Sequence, residues 1–387
     1  MKIYFSVTGS GFSEEPGKKV NIMEWFEVKN VDSIDTPSLL VYKERVRKNI
    51  QRAVAAIGNV DLLRPHIKTN KMAEVCRMMM DEGIHKFKCA TIAEAEMLAM
   101  IDAKDVLFAY QPCGPKAERF LQLNIRYPSV RFSCIVDDIE AARHLSSLFT
   151  AAGKTAAVFI DLNTGMNRTG ATAGNAKKVI SAIMHLPGMR IMGLHAYDGH
   201  VRDTDIEQRE ERSDAAFGVV EDVLHTLENV LAEKVSIVSG GSPSFSTHIK
   251  RNVECSPGTF VFWDWGYANQ IPDQPYEFAA LVITRIISMV NEGVFTTDLG
   301  HKAVAAENPL PRVHFLNAPD AVPVSQSEEH LVVKVPDSSK YRVGDVLYGV
   351  PVHICPTVAL YDEAMVVENN YVIEAWKVAA RGRKISV

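Results

Sequence analysis

Two lysines, Lys68 and Lys71, sit in the run Arg64-Pro65-His66-Ile67-Lys68-Thr69-Asn70-Lys71, between an apolar segment at 60–63 and a helical pattern starting near Met72. A lysine just past a strand, held between a proline and a polar turn, is placed to point into a cavity. Desolvation there removes its proton and lets it attack a carbonyl. A solvated basic turn is the alternative that the run leaves open.

Further along, Asn163-Thr164-Gly165-Met166-Asn167-Arg168-Thr169-Gly170 brackets an arginine between glycines at a strand exit, where Arg168 could bind an anionic oxygen. In Ala196-Tyr197-Asp198-Gly199-His200, Tyr197 could stack on a planar ring and His200 could move protons. The turn Ser239-Gly240-Gly241-Ser242-Pro243-Ser244 has small residues that free backbone N–H groups to meet a phosphate, with hydroxyls as extra donors. Ser256-Pro257-Gly258-Thr259 offers a second close backbone approach, just before Asp264-Trp265-Gly266-Tyr267. A lysine, a phosphate cradle and an aromatic plane together are what pyridoxal phosphate requires.

The C-terminal third adds His353-Ile354-Cys355-Pro356-Thr357. Read as a strand, positions 353 and 355 share a face, and imidazole with thiolate suits zinc. Two ligands are half a site, leaving room for water or substrate oxygens. A buried thiol beside a core histidine is the alternative.

Elements must position these side chains. From about residue 36, short β-branched runs alternate with amphipathic stretches. Strands are expected at 38–42, 61–64, 86–90, 105–109, 131–136, 155–162, 190–195 and 234–238, with helices at 43–57, 72–82, 92–101, 139–152, 175–185 and 203–231. About eight such units predict a (β/α)8 barrel of the TIM type over 36–270, with an open doubly wound sheet as the alternative. Past Thr259 helical periodicity fades, and strand-like runs at 278–290, 332–335, 346–352, 364–368 and 371–378 predict a β domain over 271–387. Residues 1–35 read as an arm packing on that domain.

With 387 residues the chain calls for two domains or a barrel with an appendage. A hydrophobic share of 47% and a charged share of 23% describe a soluble globular protein. The net charge of −5 gives no general reason to bind nucleic acid or a membrane surface. No window reaches the length of a membrane span, and the first residues carry no signal-peptide pattern. The six cysteines lack paired spacing and read as reduced thiols in the cytoplasm.

On these segments, together with Thr36-Pro37, 88–96 and 193–200, the chain resembles the fold-type III pyridoxal phosphate enzymes, most of all the D-threonine aldolase and D-serine dehydratase-like group. The resemblance implies an alanine-racemase-like barrel, a C-terminal β domain and a homodimer. It implies Lys68 as the Schiff-base lysine, with Lys71 the weaker candidate, and Arg168 on the cofactor's phenolic oxygen. Tyr197 would lie against the pyridine, with Ser239, Gly240, Gly241, Ser242, Gly258 and Thr259 around the phosphate and Tyr267 beside them. His353 and Cys355 resemble the ligands of a divalent metal (Zn, Mn or Mg). Two positions depart from the pattern. Asn70 stands where many of these aldolases and dehydratases carry histidine, and Ser256 where racemases carry an arginine on the pyridine nitrogen.

The implied reaction is cleavage of a β-hydroxy-D-amino acid to glycine and an aldehyde, with the metal lowering the hydroxyl's pKa and His200 or His66 as the base. Dehydration of D-serine, D-threonine or 3-hydroxyaspartate is the second reading. A racemase and a non-catalytic pyridoxal phosphate carrier follow.

Overall fold

A computed structural model describes residues 23–232 and 234–387. The chain enters through β1 (Ser38–Tyr42) and α1 (Lys43–Ile57), then α2 (Ala73–Asp81), β2 (Lys86–Cys89), α3 (Ile92–Met100) and β3 (Asp105–Phe108). The alternation continues with α4 (Pro115–Arg126), β4 (Arg131–Val136), α5 (Ile139–Ala151), β5 (Ala156–Asp161), α6 (Ala173–Ile183) and β6 (Met189–Ala196). The long α7 (Ile206–Leu231), β7 (Ser236–Ser239), α8 (Phe245–His248), β8 (Glu254–Cys255) and α9 (Trp265–Gln270) complete this half. Strands then dominate: β9 (Ala280–Asn291), β10 (Val294–Thr297), β11 (Val313–Phe315), β12 (Val322–Gln326), β13 (Leu331–Lys334) and β14 (Val346–Pro351). The last elements are α10 (Ile354–Val358), β15 (Glu363–Glu368) and β16 (Tyr371–Lys377).

Strands β2 to β8 form one parallel sheet in sequence order. Its two ends are joined by residues 63–67. Arg64 N–H donates to Cys255 O at 2.8 Å and His66 N–H to Pro257 O at 2.9 Å, while Ile67 N–H donates to Lys88 O at 2.9 Å. The segment is too short and proline-broken for a regular strand, so the one expected at 61–64 is a 3-10 turn (Val60–Leu62) followed by single bridges. The fold is the alanine-racemase-like one, a mixed α/β architecture with a β-rich C-terminal part.

One expectation is corrected here. The segment 38–42 is not a barrel strand. β1 pairs antiparallel with β9 and parallel with β15 inside the second, nine-stranded sheet, so the barrel begins at α1 and not at residue 36. Ser-Leu-Leu-Val-Tyr is apolar on both faces, and periodicity cannot tell a barrel strand from a central strand of a mixed sheet. Phe26, Val28 and Ile34 bury against Leu40, Tyr42, Leu281 and Tyr348 of that sheet. The rest of the expected arm, residues 1–22, lies outside the described residues.

Helices cover the barrel with stripes such as Val46, Ile50, Ala53 and Ile57 of α1, which ends at Gly58 with φ 69°. Inside the barrel, Leu107, Ile135, Phe159 and Val238 form an apolar layer, with Met192 packed on it. Beneath it Arg64, with only 2% of its surface exposed, donates to Glu254 Oε2 and Asp105 Oδ1, each at 2.6 Å. Lys86 and Arg131 hold the other sides of those carboxylates. This network closes the N-terminal end of the barrel, and chemistry is left to the other end.

Candidate active site

Three cations converge on one ring at the C-terminal mouth of the barrel. Lys68 Nζ lies 5.7 Å, Lys88 Nζ 5.5 Å and Arg168 Cζ 5.4 Å from the Tyr197 ring centroid. Lys68 is half-buried on the loop after residues 63–67. Lys71, with φ 54°, turns away and pairs with the fully buried Glu94, so only Lys68 of the two is free for chemistry.

The ring itself is wedged. A Cβ at Gly199 would come within 2.5 Å of Tyr197 Cε1, and one at Gly241 within 2.8 Å of Cε2. Both positions need glycine for the ring to lie between them. Arg168 reaches the ring from a turn built by Asn163, whose Oδ1 accepts from Gly165 N–H and Asn167 N–H, each at 3.1 Å. Gly170 closes that turn with φ 96°, and its N–H donates to Asp137 Oδ2 at 2.8 Å.

The expected phosphate cradle comes together with one exception. Ser242 Oγ accepts from Gly258 N–H at 3.2 Å and Thr259 N–H at 3.1 Å, so both backbone donors face the 240–242 turn. Ser239 does not face it. Its hydroxyl donates to Ala196 O at 2.9 Å and lies 3.4 Å from His248 Nε2, which makes it a brace of the β6–β7 exits. Asp198 and His248 form the rest of that brace at 2.8 Å. Burial pushes the Asp198 carboxyl up, but donation from His248 and Ser244 outweighs it and holds the group below the usual range.

The two histidines expected as bases differ. His66 Nδ1 accepts from Lys68 N–H at 3.3 Å, so its lone pair is engaged. Burial and the nearby Lys68 and Lys88 hold it well below the ordinary histidine range, as a neutral ring. His200 Nδ1 is buried with no hydrogen-bond partner among the described residues. Ser256 Oγ, just past β8, is also buried without one. Unsatisfied buried polar atoms at a barrel mouth fit a polar ligand there, and with the glycine turns they fit a ring and a phosphate group.

The second sheet completes the mouth. His353 and Cys355 do not lie on a strand as expected: His353 caps α10 and Cys355 lies in its first turn. Pro356 has no N–H for a sheet ladder and suits a helix's first turn. Cys355 Sγ lies 3.1 Å from Thr69 Oγ1 and 3.5 Å from Thr259 Oγ1. His353 Nδ1 lies 2.6 Å from Glu307 Oε1. Burial lowers His353, but Cys355, Asp264 and Glu307 outweigh it and push it up to about 9. Burial raises Cys355, but the imidazole beside it outweighs that and lowers it. With Nδ1 tied to a carboxylate, the imidazole's other nitrogen and the Cys355 sulfur bond to each other and are the atoms a metal would take, in the arrangement of a carboxylate-backed ligand. Among the described residues no group of three or more His, Cys, Asp or Glu side chains gathers to hold an ion. Tyr267 packs on Trp263 with ring centroids 5.6 Å apart, and burial, with Tyr197 and Cys355 nearby, raises its hydroxyl.

Lys88, His195 and Asp161 went unremarked in the sequence. Their signal was positional: in Lys86-Phe87-Lys88-Cys89 the two lysines share a strand face that a barrel normally fills with apolar residues.

The family described as alanine racemase, N-terminal domain, matches residues 41–264. The chain belongs to that family. A putative serine dehydratase domain matches residues 279–367. The chain is 27% identical over 364 residues to 3-hydroxy-D-aspartate aldolase of Paracoccus denitrificans (strain Pd 1222), covering 90% of this chain and 93% of that one. It is 22% identical over 372 residues to D-threo-3-hydroxyaspartate dehydratase of Delftia sp. (strain HT23), covering 89% and 97%. The crystal structure of D-threonine aldolase from Filomicrobium marinum superposes with a TM-score of 0.84 at 27% identity, covering 91% of this chain and 96% of that one. Over about nine-tenths of its length the chain is thus similar to proteins named as D-threonine aldolase, 3-hydroxy-D-aspartate aldolase and D-threo-3-hydroxyaspartate dehydratase. Among the described residues no helix is long and apolar enough to cross a membrane.

Proposed function

We propose that the protein is a pyridoxal-phosphate- and divalent-metal-dependent lyase that cleaves a β-hydroxy-D-amino acid into glycine and an aldehyde. The observation that carries this reading is the meeting of two sets of groups. Lys68, Arg168 and Tyr197 share one mouth, and the His353–Cys355 pair reaches it across Thr69 and Thr259. Bound pyridoxal phosphate supplies an aldehyde for amine capture and an electron-withdrawing ring that weakens the bonds at the substrate's Cα.

Lys68 is the residue that would hold the cofactor through its aldehyde and give way to a substrate amine. The backbone donors of Gly258 and Thr259, with Ser242, would orient the phosphate, and Arg168 would supply positive charge at the phenolic edge. Ser256 Oγ offers a neutral donor to the ring nitrogen. His353 and Cys355 would hold the cation, which would supply Lewis acidity toward the β-hydroxyl. Between the two candidate bases, His200 Nδ1 is unengaged among the described residues, whereas the Nδ1 lone pair of His66 accepts from Lys68 N–H. A homodimer goes with this reading and is checked by light scattering.

The test is product analysis of the purified protein with pyridoxal phosphate, a divalent metal and either D-threonine or 3-hydroxy-D-aspartate. Glycine with the matching aldehyde supports the proposal. A 2-oxo acid with ammonia overturns it in favour of a dehydratase.

A further inference from the structure

Lys88 is a lysine where a barrel interior has little reason to hold one. It is 2% exposed and sits on β2, hydrogen-bonded through its backbone to the segment that carries Lys68. Its neighbours on similar elements are neutralised directly: Lys71 pairs with Glu94 and Lys86 with Glu254. Among the described residues Lys88 has no carboxylate partner, and its one side-chain hydrogen-bond partner is His195 Nε2, at 3.5 Å. That one contact leaves the rest of the amine unengaged, and the Tyr197 ring of the site lies 5.5 Å away.

The partner is itself fixed. His195 Nδ1 and Asp161 Oδ1 are 2.6 Å apart, both buried. Nδ1–H donates to the carboxylate, which leaves Nε2 as an acceptor facing Lys88. Burial lowers His195 below its ordinary range against the opposing pull of Asp161, in keeping with a neutral acceptor. A carboxylate, an imidazole and an amine therefore run in line from β5 through β6 to β2. It is the order in which a carboxylate orients an imidazole and the imidazole handles the proton of a third group. A cavity of about 30 Å³, lined by Asp161, Arg168, His195 and Tyr197, lies beside this line and has room for a water.

We propose that Lys88 is the proton-holding partner of Lys68, taking the proton that Lys68 must give up to become a nucleophile and returning it when Lys68 is released, with His195 and Asp161 as its positioning pair. The step balances. Lys68 ammonium loses one proton and becomes the neutral amine, and Lys88 gains that proton. When the amine nitrogen of Lys68 is freed again, the proton goes back. Arg64, Lys68 and His66 face Lys88 from the 63–68 segment, Asp161 from β5, His195 and Asp198 from β6 and the turn beyond it, and Cys255 from β8. Burial first and then Lys68 lower the Lys88 amine to about 7, against the opposing pull of Asp161. A lysine so placed takes up and gives back a proton at neutral pH. This inference rests on the pyridoxal phosphate reading for the role of Lys68.

The experiment has two arms. In the first, the cofactor-free wild-type protein is reductively methylated with labelled formaldehyde over a range of pH, and each lysine is followed by peptide mapping. Lys88 labelling that rises with a midpoint near 7 supports the proposal, and a midpoint in the ordinary lysine range overturns it. In the second, the rate at which the cofactor-free protein forms its visible imine band with pyridoxal phosphate is measured against pH. In K88M, with the melting temperature and final band intact, the rate near neutral pH falls by on the order of 10²-fold and its midpoint moves to higher pH. An unchanged rate profile overturns the proposal. Failure of borohydride to fix the cofactor on Lys68 of the wild-type protein would instead sink the cofactor reading itself, so the two failures are distinct.

Discussion

Thr69 Oγ1 and Cys355 Sγ lie 3.1 Å apart, and Thr69 is the residue directly after Lys68. The contact ties the lysine loop of the barrel to the first turn of α10, which follows the second sheet. Thr259, next to the backbone donor of Gly258, reaches the same sulfur at 3.5 Å. A group bound at His353 and Cys355 therefore sits against the two loops that would hold the cofactor's aldehyde and phosphate. The two parts of the chain share one site.

Lys68→Ala should abolish the imine absorbance and the borohydride-fixed adduct, with the melting temperature little changed. Lys68 is half-buried and its Nζ makes no ion pair among the described residues, so truncation removes no stabilising partner. Lys71→Ala should leave the band in place, because Lys71 is committed to Glu94. A band that survives in the Lys68 variant would refute the assignment.

His353→Ala and Cys355→Ala should each remove bound metal and lyase activity while leaving the imine band. Metal analysis of the dialysed variants against wild type decides it, and unchanged metal content would count against the site. Losing one of two protein donors costs most of the affinity when the remaining ligands are water or substrate.

The affinity for that metal should rise with pH. His353 is pushed up to about 9, so at neutral pH its imidazole holds a proton, while the same contact lowers the Cys355 thiol beside it. Metal binding must displace that proton. The sign follows: affinity increases by about tenfold per pH unit below the His353 value and levels off above it. Calorimetric titration in two buffers of different ionisation heat should report release of at least about one proton per metal at pH 7, the one on His353. No buffer dependence would mean the pair is already free of that proton.

Much of this site could be read from residue order, because the loops after barrel strands carry chemistry and their turn residues are distinctive. Gly240-Gly241-Ser242 and the Asn163–Gly170 turn lie where their glycines and polar residues indicate. What could not be read was orientation. Ser239 looks like a phosphate donor until its hydroxyl is seen donating to Ala196 O. His353 and Cys355 look like neighbours on a strand, but Pro356 starts a helix there. β1 reads as a barrel strand because burial on both faces looks the same in either sheet. Lys88 was hidden for a related reason: periodicity gives its face of β2, and only the closed barrel shows that this face is shut off from bulk solvent.

Arg64→Met should destabilise the protein by about 3–5 kcal/mol without changing the imine band. Arg64 is buried beneath the apolar layer of the barrel, between Asp105 and Glu254, on the side away from the site. Its loss leaves two buried carboxylates with only the partly exposed Arg131 and Lys86 to neutralise them. Urea unfolding of both proteins measures the difference. A loss under about 1 kcal/mol would show that these two outer cations suffice.

Gly241→Ala should weaken cofactor binding, by roughly tenfold for each 1.4 kcal/mol of lost ring support. The added Cβ would lie 2.8 Å from Tyr197 Cε2. The ring cannot retreat, because Gly199 allows no gap on its other side, where even a Cβ would come within 2.5 Å. Tyr197 must then leave the position it shares with Lys68, Lys88 and Arg168, and all three approaches change together. Gly174→Ala is the control, since a Cβ there meets nothing within 4 Å and should leave binding unchanged. Spectroscopic titration with pyridoxal phosphate compares the two. Equal affinities would show that the wedge around Tyr197 is packing alone and that the ring does not support the cofactor.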